Sequence, residues 1–528
     1  MSHFLLVCER DAAAEPLGPG ALETIAARLA PRGLPPRAPH VVTSRGLVSA
    51  IFEPVAMVER HEHAACLGAM FPATPGWWVP GRPAPDGSYA LFRADGRTVE
   101  LISDVVASRT IWVHLDDRRM VASTSQRAMA MVLGDVAFDA RTLPWMLSVG
   151  VIGPGLAWDR RVRPLGPDTR LRLDRATWRW RETCAAPVFR ARLRGAATGE
   201  ARLREAIDRT LAALPIDDRM PLLLSGGCDS RALLFGLARR GTLSTVTFGL
   251  PGADTRPESE AGVAARLARG VGARHRYLPI TRAPLDEVFD DYVAHSEART
   301  DRFAAYIDGM RLWRELVESG VQGVVRGDEG FGWTRVLRSR SLDACVGLLS
   351  ARPIDFGLRD HPPHHRPPFL ARRFGETLAT QRDRLFQTCC IPTLHAGLNQ
   401  AKAGHVEIAS PFLARPVLDV VRAMPDRHRT DKAVFRRLVA GPVPFRRGPR
   451  ELETDALAAD PAVRAHVAGA LDGLTARGIG ARYFGPEWGS RTGAARPRLA
   501  LRAMLLLAAI ELLERDAAAP WNGGRLVR

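Results

Sequence analysis

The stretch Pro221-Leu-Leu-Leu-Ser-Gly-Gly-Cys-Asp-Ser230 decides how this chain is read. Leu222 to Leu224 has the apolar density of a strand covered on both faces, and the run Ala232, Leu233, Leu234, Leu237, Ala238 has helical spacing. The turn between them therefore lies at a helix N-terminus, where backbone N–H groups and the helix dipole favour an anion. Gly226 and Gly227 let the backbone approach that anion closely, and Ser225 and Ser230 add hydroxyl donors. Asp229 repels phosphate but suits a Mg2+ ion that binds it. The spacing S-G-G-x-D-S is neither G-x-x-x-x-G-K-[ST] nor G-x-G-x-x-G, which sets aside P-loop kinases and Rossmann dehydrogenases.

Outward from this loop the pattern alternates. Helical spacing over Leu203 to Leu214 and Glu258 to Val271 is interleaved with apolar strands at Thr245 to Phe248 and Val321 to Val325. Such alternation predicts an α/β unit with a doubly wound parallel sheet, whose ligands bind at the carboxyl ends of the strands. Residues 1–182 read differently, as short alternating strands such as Ser88 to Arg93, Val99 to Ser103, Thr110 to Leu115 and Arg170 to Leu173, separated by turn signals. Residues 183–199 read as a linker, which gives a first domain over 1–182 and a second over 200–528.

A length of 528 residues is long for one core and agrees with two domains. Hydrophobic content of 46% and charged content of 25% are those of a globular soluble protein. The formal net charge of +17 is carried by arginine, since only Lys402 and Lys432 of the 74 basic residues are lysines. This field favours anionic partners such as nucleotide or an acidic peptide. No basic tract interleaved with aromatics and no reading motif points to nucleic acid.

Seven scattered cysteines, at 8, 66, 184, 228, 345, 389 and 390, suit a reducing cytosol. The opening Met-Ser-His-Phe-Leu-Leu-Val-Cys-Glu-Arg lacks the basic start and long apolar core of a signal peptide, and a cytoplasmic location is expected. Leu499 to Leu513, broken by Arg502 and Glu511, is too short to span a bilayer and reads as a core helix. His361-Pro-Pro-His-His-Arg-Pro-Pro368 reads as a loop rather than a metal site, and His61-Glu-His63 is not H-E-x-x-H.

Four further blocks follow the loop in order: Thr247-Phe-Gly-Leu-Pro-Gly-Ala-Asp254, Val321-Gln-Gly-Val-Val-Arg-Gly-Asp-Glu-Gly-Phe-Gly-Trp333, Ser410-Pro-Phe-Leu-Ala-Arg-Pro-Val-Leu418 and Lys432-x-x-Phe-Arg436. Their order resembles the synthetase domain of asparagine synthetase and its relatives, and the loop resembles that of ATP pyrophosphatases. The first domain is similar to that family's glutamine amidotransferase domain through Asp104, Arg109-Thr-Ile-Trp112, Ala122-Ser-Thr-Ser-Gln-Arg-Ala128 and Leu165-Gly-Pro-Asp168. The resemblance implies an N-terminal Ntn-hydrolase-like αββα sandwich followed by an ATP pyrophosphatase domain with helical additions. It also implies a chemistry in which a carboxylate attacks the α-phosphate of Mg-ATP, pyrophosphate leaves, and an amine takes the acyl-adenylate to an amide.

By the same resemblance, Leu224, Ser225, Gly226, Gly227, Asp229, Ser230, Phe248 and Gly327 bind ATP, Asp229 and Asp328 hold Mg2+, and Lys432, Asp328 and Glu329 are catalytic. Composition singles out Lys432 independently, because a lysine kept in an arginine-rich chain marks a place that needs a compact ammonium rather than a planar fork. Lys402 matches no block and reads as surface.

Two departures narrow the resemblance. Relatives that hydrolyse glutamine place a cysteine at residue 2, whereas this chain has Ser2, and the glutamine-binding Asn-Gly-Glu-Ile-Tyr-Asn signature is missing from residues 40–100. Cys8 carries no free α-amine to act as its base, so thiolate glutaminase chemistry is not expected. Val325 stands where asparagine synthetases carry a glutamate and β-lactam synthetases a tyrosine, which leaves Glu329, Glu407 and His405 as candidate bases.

With Arg231 following the loop, these features resemble the lasso peptide cyclases. There an Asp or Glu side chain of a precursor peptide is adenylated and captured by the peptide's own N-terminal amine. The resemblance implies a precursor peptide substrate, a leader-peptide-binding protein and a leader peptidase as partners. Peptide-shaping contacts are expected between about Arg335 and Gln400. The alternatives are a β-lactam synthetase-like small-molecule cyclase and an ammonia-dependent asparagine synthetase.

Overall fold

The structure, a computed structural model, describes residues 2–55, 57–214, 217–331, 368–441, 443, 452–485 and 496–518. Five parallel strands form one sheet, in the spatial order Arg274–Pro279, Ser244–Gly249, Leu222–Leu223, Gly323–Val325 and Glu407–Ala409. From Leu222–Leu223 the chain winds outward through the strands at 244 and 274, then returns to the other side through those at 323 and 407. Leu222 pairs with Val325 where the winding reverses, which in a doubly wound sheet opens a crevice above the strand ends.

Apolar density on both faces of these strands has a structural cause, because each face carries a helical layer. Leu203 and Leu211 from Ala196–Ala212, Leu233 and Leu237 from Cys228–Ala238, and Leu267 from Glu260–Gly270 share one buried cluster with Leu222 and Val325. Val288 and Tyr292 from Leu285–Ser296 pack with Val246, Leu278 and Val324 in another.

Residues 3–184 build two antiparallel six-stranded sheets. In spatial order the first is Arg163–Pro164, Trp112–Leu115, Arg119–Ser123, His3–Glu9, Leu47–Phe52 and His40–Ser44. The second is Arg179–Cys184, Thr169–Asp174, Thr98–Ser103, Gly87–Ala94, Ala64–Met70 and Glu59–His61. Alternation places Phe4 and Leu6 inward against Leu67, Phe92 and Leu101 of the second sheet, so the two stack face to face. Leu5 and Val7 point the other way, toward Ile25 of helix Pro19–Leu29 and Met129 of helix Gln126–Leu133.

The expected core helix is present as Pro497–Ala517, packed in the same cluster as Met129 and Met131. Fully buried Asp516 takes Arg127 Nε at 2.6 Å and Arg28 Nη1 at 3.1 Å, which ties this late helix to the first part of the chain. Among the described residues no helix is long and apolar enough to cross a membrane, and the cysteines are free thiols.

Candidate active site

The Ser225–Ser230 turn leaves its strand at the reversal of winding and enters helix Cys228–Ala238. Leu224 anchors it from behind: its N–H donates to the Val246 carbonyl at 2.8 Å and its carbonyl accepts from Thr247 Oγ1 at 2.6 Å. The Ser230 hydroxyl donates to the Ser225 carbonyl at 3.0 Å and accepts the Ser225 N–H at 3.0 Å, while the two hydroxyls lie 2.9 Å apart. Gly227 N–H donates to Ser225 Oγ at 3.2 Å, so both serines shape the turn as well as line it. Glycine at 226 is a matter of room, since a Cβ there would stand 3.2 Å from the Val263 side chain. Asp229 sits in the first turn of the helix, where the dipole favours its charge.

The second loop follows Gly323–Val325 and meets the first directly. A Cβ on Gly327 would stand 3.0 Å from the Asp229 carbonyl carbon and from the Ser230 nitrogen, so only glycine lets the two backbones approach this closely. Asp328 is buried, with Arg326 Nη2 at 3.1 Å from Oδ1, and Asn399 Nδ2 at 3.1 Å and Ser410 Oγ at 3.2 Å from Oδ2. Burial alone pushes its carboxyl up, but Arg326, His395 and Lys402 together with the Asn399 hydrogen bond outweigh it and hold it below the usual carboxylate range. Arg326 also donates to Asn399 Oδ1, which fixes the amide so that its NH2 faces Asp328.

Lys432 closes the site. Its ammonium lies 2.8 Å from both carboxylate oxygens of Asp229 and 2.8 Å from Glu329 Oε1. Burial works against the charge, yet Glu329 and then Asp229 overcome it and hold the ammonium above the usual lysine range. Glu329 is oriented by the Phe331 N–H, which donates to Oε2 at 2.7 Å. Beneath, Phe331 stacks on Phe435 at 4.4 Å between centroids and Phe412 closes the triangle, at 5.6 Å from Phe331 and 5.4 Å from Phe435. Asp431 and Lys432 both adopt left-handed backbone, with φ of 57° and 54°.

Several sequence expectations meet a different arrangement. Lys402 is not on the surface: it is 6% exposed, donates to the Leu398 carbonyl at 2.8 Å and reaches Asn399 Oδ1 at 3.5 Å, and its burial drives the ammonium well below the usual lysine range. The composition signal that singled out Lys432 applied to it equally. Of the three candidate bases only Glu329 lies at the loops. Glu407 starts its strand opposite Gly323, at the far end from the site, where it accepts the Ser2 N–H at 3.2 Å and pairs with Arg109. His405 is buried against His295, 5.0 Å between ring centroids, two residues earlier still.

Phe248, one residue before the end of its strand, is partly buried, 6.4 Å from the Trp313 ring. Ser2 is wholly buried, and its hydroxyl donates to the Glu53 carbonyl at 3.4 Å. Asp104 is filled by the N–H groups of Tyr89, Val106 and Ser108. Arg326, Asn399 and Ser410 also belong to the site: Arg326 and Ser410 lie inside two of the quoted blocks without an assigned role, and Asn399 lies in none of them. Trp333, the histidine run 361–365 and residues 335–367 of the expected peptide-shaping segment lie outside the described residues.

Among the described residues no group of three or more His, Cys, Asp or Glu side chains is placed to hold a metal ion. Mg2+ in nucleotide sites needs only one or two carboxylates beside phosphate oxygens. The expected pair, Asp229 and Asp328, meets that number: Asp229 opens on the Lys432 ammonium, and Asp328 lies against Arg326, Asn399 and Ser410.

Residues 200–330 match the asparagine synthase family. The matched segment contains the Ser225–Ser230 loop, Phe248 and Gly327 to Glu329, but not Lys432. It supports an asparagine synthetase-like chain and, in general terms, an ATP-dependent amide-forming ligase. No curated protein matches the chain. A solved structure that does is glutamine phosphoribosylpyrophosphate amidotransferase from B. subtilis complexed with ADP and GMP, 10% identical over 63% of this chain and 83% of that one. Its TM-score of 0.22 is too low to carry an argument.

Proposed function

We propose that the chain is an ATP-dependent lasso peptide cyclase. A side-chain carboxylate of an Asp or Glu in a precursor peptide attacks the α-phosphorus of ATP, the bond to the β-phosphate oxygen breaks, and pyrophosphate leaves. The peptide's N-terminal amine then attacks the acyl carbon, AMP departs, and an isopeptide bond closes a macrolactam. The single observation that carries this reading is the convergence of the Ser225–Ser230 loop, Gly327 and the Lys432 ammonium at the reversal point of the parallel sheet.

Bound with ATP, Mg2+ would supply neutralisation of the charge that builds on the departing pyrophosphate. Asp229 would supply an anionic ligand for it from the first turn of helix Cys228–Ala238, whose N-terminus favours phosphate. Lys432 supplies a compact positive charge at the same place. Holding both reactive ends of one bound peptide makes the second step intramolecular, which removes much of the entropic barrier.

An internal amine fits the first domain, where Ser2 replaces the family's cysteine and lies wholly buried. A leader-peptide-binding protein and a leader peptidase are the partners this chemistry calls for, since the attacking amine must be exposed by cleavage.

The test incubates the purified chain with ATP, Mg2+ and a core peptide bearing a free N-terminus. AMP, pyrophosphate and a peptide lighter by one water are expected, and Asp229→Ala is expected to abolish pyrophosphate release. ADP in place of AMP would refute the reading. A product that has gained an ammonia nitrogen would move it to an ammonia-dependent synthetase, and cyclisation of a small molecule alone would move it to a β-lactam synthetase-like enzyme.

A further inference from the structure

We propose that His395 is the general base of the amide-forming step, accepting the proton that the attacking amine gives up. The inference rests on the reading of this site as one that makes an acyl-adenylate and passes it to an amine. It fills the place that Val325 leaves open.

The first observation is where the ring stands. Strand Glu407–Ala409 is parallel to Gly323–Val325 and so runs toward the end of the sheet that carries Asp328. Helix Ala396–Lys402 runs the other way. Lys402 lies level with the start of that strand, its carbonyl accepting the Val406 N–H at 3.2 Å, whereas Asn399 already reaches Asp328 Oδ2, the oxygen that Ser410 meets just past the strand's end. His395 has helical backbone and lies one turn before Asn399 on the same face. It therefore stands beyond Asp328 at the carboxyl ends of the strands, where such a sheet binds its ligands.

The second observation is how this segment is held. His395 closes the π-helical stretch Phe386–His395, a rare geometry that is frequent at functional sites. Gln387 at its start donates to the Gly330 carbonyl at 2.8 Å, and Asn399 after its end donates to Asp328. The segment thus grips the Asp328 loop on both sides of His395. The Phe386 ring meets the imidazole edge to face at 5.4 Å, which limits its rotation.

The third observation is that the ring nitrogens are uncommitted. His395 is half-buried, and among the described residues none makes a hydrogen bond to either nitrogen. Burial draws the imidazole below its ordinary value against the pull of Asp328 and then Glu329, so one nitrogen keeps a lone pair at neutral pH. Glu329 is engaged elsewhere, with Oε1 at 2.8 Å from the Lys432 ammonium and Oε2 accepting the Phe331 N–H.

The step balances without a further reactant. The neutral amine gives its lone pair to the acyl carbon, the C–N bond forms, and the nitrogen becomes positive. His395 takes one proton from it. The bond between the acyl carbon and the AMP oxygen breaks, AMP leaves with that electron pair, and the imidazolium returns its proton to solvent.

The experiment uses the full chain with ATP, Mg2+ and the core peptide bearing a free N-terminus. It compares two acceptors of the acyl group: the peptide's own amine, scored as macrolactam, and added hydroxylamine, a strong and weakly basic nucleophile, scored as hydroxamate. His395→Ala is expected to lower macrolactam formation by about a hundredfold or more and hydroxamate formation by less than about tenfold. Added imidazole is expected to restore about tenfold of the lost macrolactam formation. His395→Gln, which leaves a polar side chain in place, is expected to show the same split. Equal loss of both products in the two variants, or macrolactam formation within about threefold of the wild type, overturns the proposal and leaves the ring a packing partner of Phe386. Failure of the wild type to form AMP or hydroxamate removes the reading of the site itself, whereas wild-type macrolactam formation indifferent to His395 removes only the base.

Discussion

Gly327 and Asp229 are in backbone contact across the reversal point of the parallel sheet, so close that a methyl group on Gly327 would stand 3.0 Å from the Asp229 carbonyl carbon. This contact fixes the spacing of the two loops that form the floor of the site. It also makes the site sensitive to one carbon atom.

Gly327→Ala is therefore expected to push the start of helix Cys228–Ala238 outward and misplace Asp229 by a few tenths of an ångström. Backbone cannot yield as a flexible side chain does, and small displacements of a charged ligand weaken nucleotide binding strongly. We expect the KM for ATP to rise by about tenfold or more with a smaller loss of stability, about 1–3 kcal/mol, from overpacking. ATP-dependent pyrophosphate release and chemical denaturation measure the two effects. An alanine variant with unchanged KM would show that this contact does not position the site.

Lys432→Arg tests whether charge or shape matters. The planar fork of arginine spreads its charge over several nitrogens and does not reproduce a single ammonium set 2.8 Å from oxygens of both Asp229 and Glu329. AMP formation is expected to fall by about a hundredfold or more, in line with loss of a charge-stabilising group at the reacting centre. The thermal midpoint should change little because both acids keep a cation. Retention of full activity by the arginine variant would mean that positive charge alone suffices.

The loop, the sheet and Lys432 are legible in the sequence because each is written locally: an apolar run, a glycine turn, a helix start and a rare residue type. The surroundings of Asp328 are not, because Asn399 and Ser410 lie 71 and 82 positions downstream and reach it only through the fold. Lys402 shows the complementary failure. Its neighbours in sequence, Ala401 and Ala403, carry no motif, and its burial beside Asn399 follows from the packing of helix Ala396–Lys402 rather than from any spacing. Glu407 stands among the candidate bases, but nothing in the sequence tells that it starts a strand at the end away from the site.

Phe435 is a buried ring on the Lys432 segment. Three residues after the lysine, it stacks on Phe331 and meets Phe412 edge-on, which joins the second loop, the Ser410 turn and the Lys432 segment in one apolar knot. Phe435→Ala removes a wholly buried ring and is expected to cost about 3–5 kcal/mol, whereas Phe435→Leu fills most of the volume and should cost less than about 2 kcal/mol. If the ring also seats the ammonium, the leucine variant will fold but show a raised KM for ATP. A leucine variant with native KM would confine Phe435 to a packing role.

The buried histidines predict how stability depends on pH. His295 and His405 lie against each other where the first part of the chain meets the second, and His3 is buried with them. Burial, reinforced by nearby arginines, pushes His295 down from 6.5 to about 3, and burial drives His3 and His405 well below their ordinary value. In the unfolded chain all three take up protons near pH 6.5, while the folded chain refuses them. Between that value and about 3 the unfolded state thus binds more protons, and stability must fall as the solution is acidified. Each histidine contributes a slope approaching about 1.4 kcal/mol per pH unit well below its unfolded pKa. Asp86, raised from 3.8 to about 6 chiefly by burial, acts in the opposite sense over part of the range by favouring the folded state at low pH. Burial also raises the carboxyls of Glu9, Glu53, Asp104, Asp291, Asp308 and Asp383, but it lowers His40, His63, His275, His395 and His428 beside these three. Histidines are the first groups to charge in the unfolded chain as the pH drops, so acidification from neutrality is destabilising. Denaturation midpoints measured from pH 7.5 to pH 4.5 should fall steadily, and His405→Phe should flatten the curve by roughly one histidine's slope whatever its effect on absolute stability. A His405→Phe curve parallel to the wild type would mean that this imidazole does accept a proton in the folded protein.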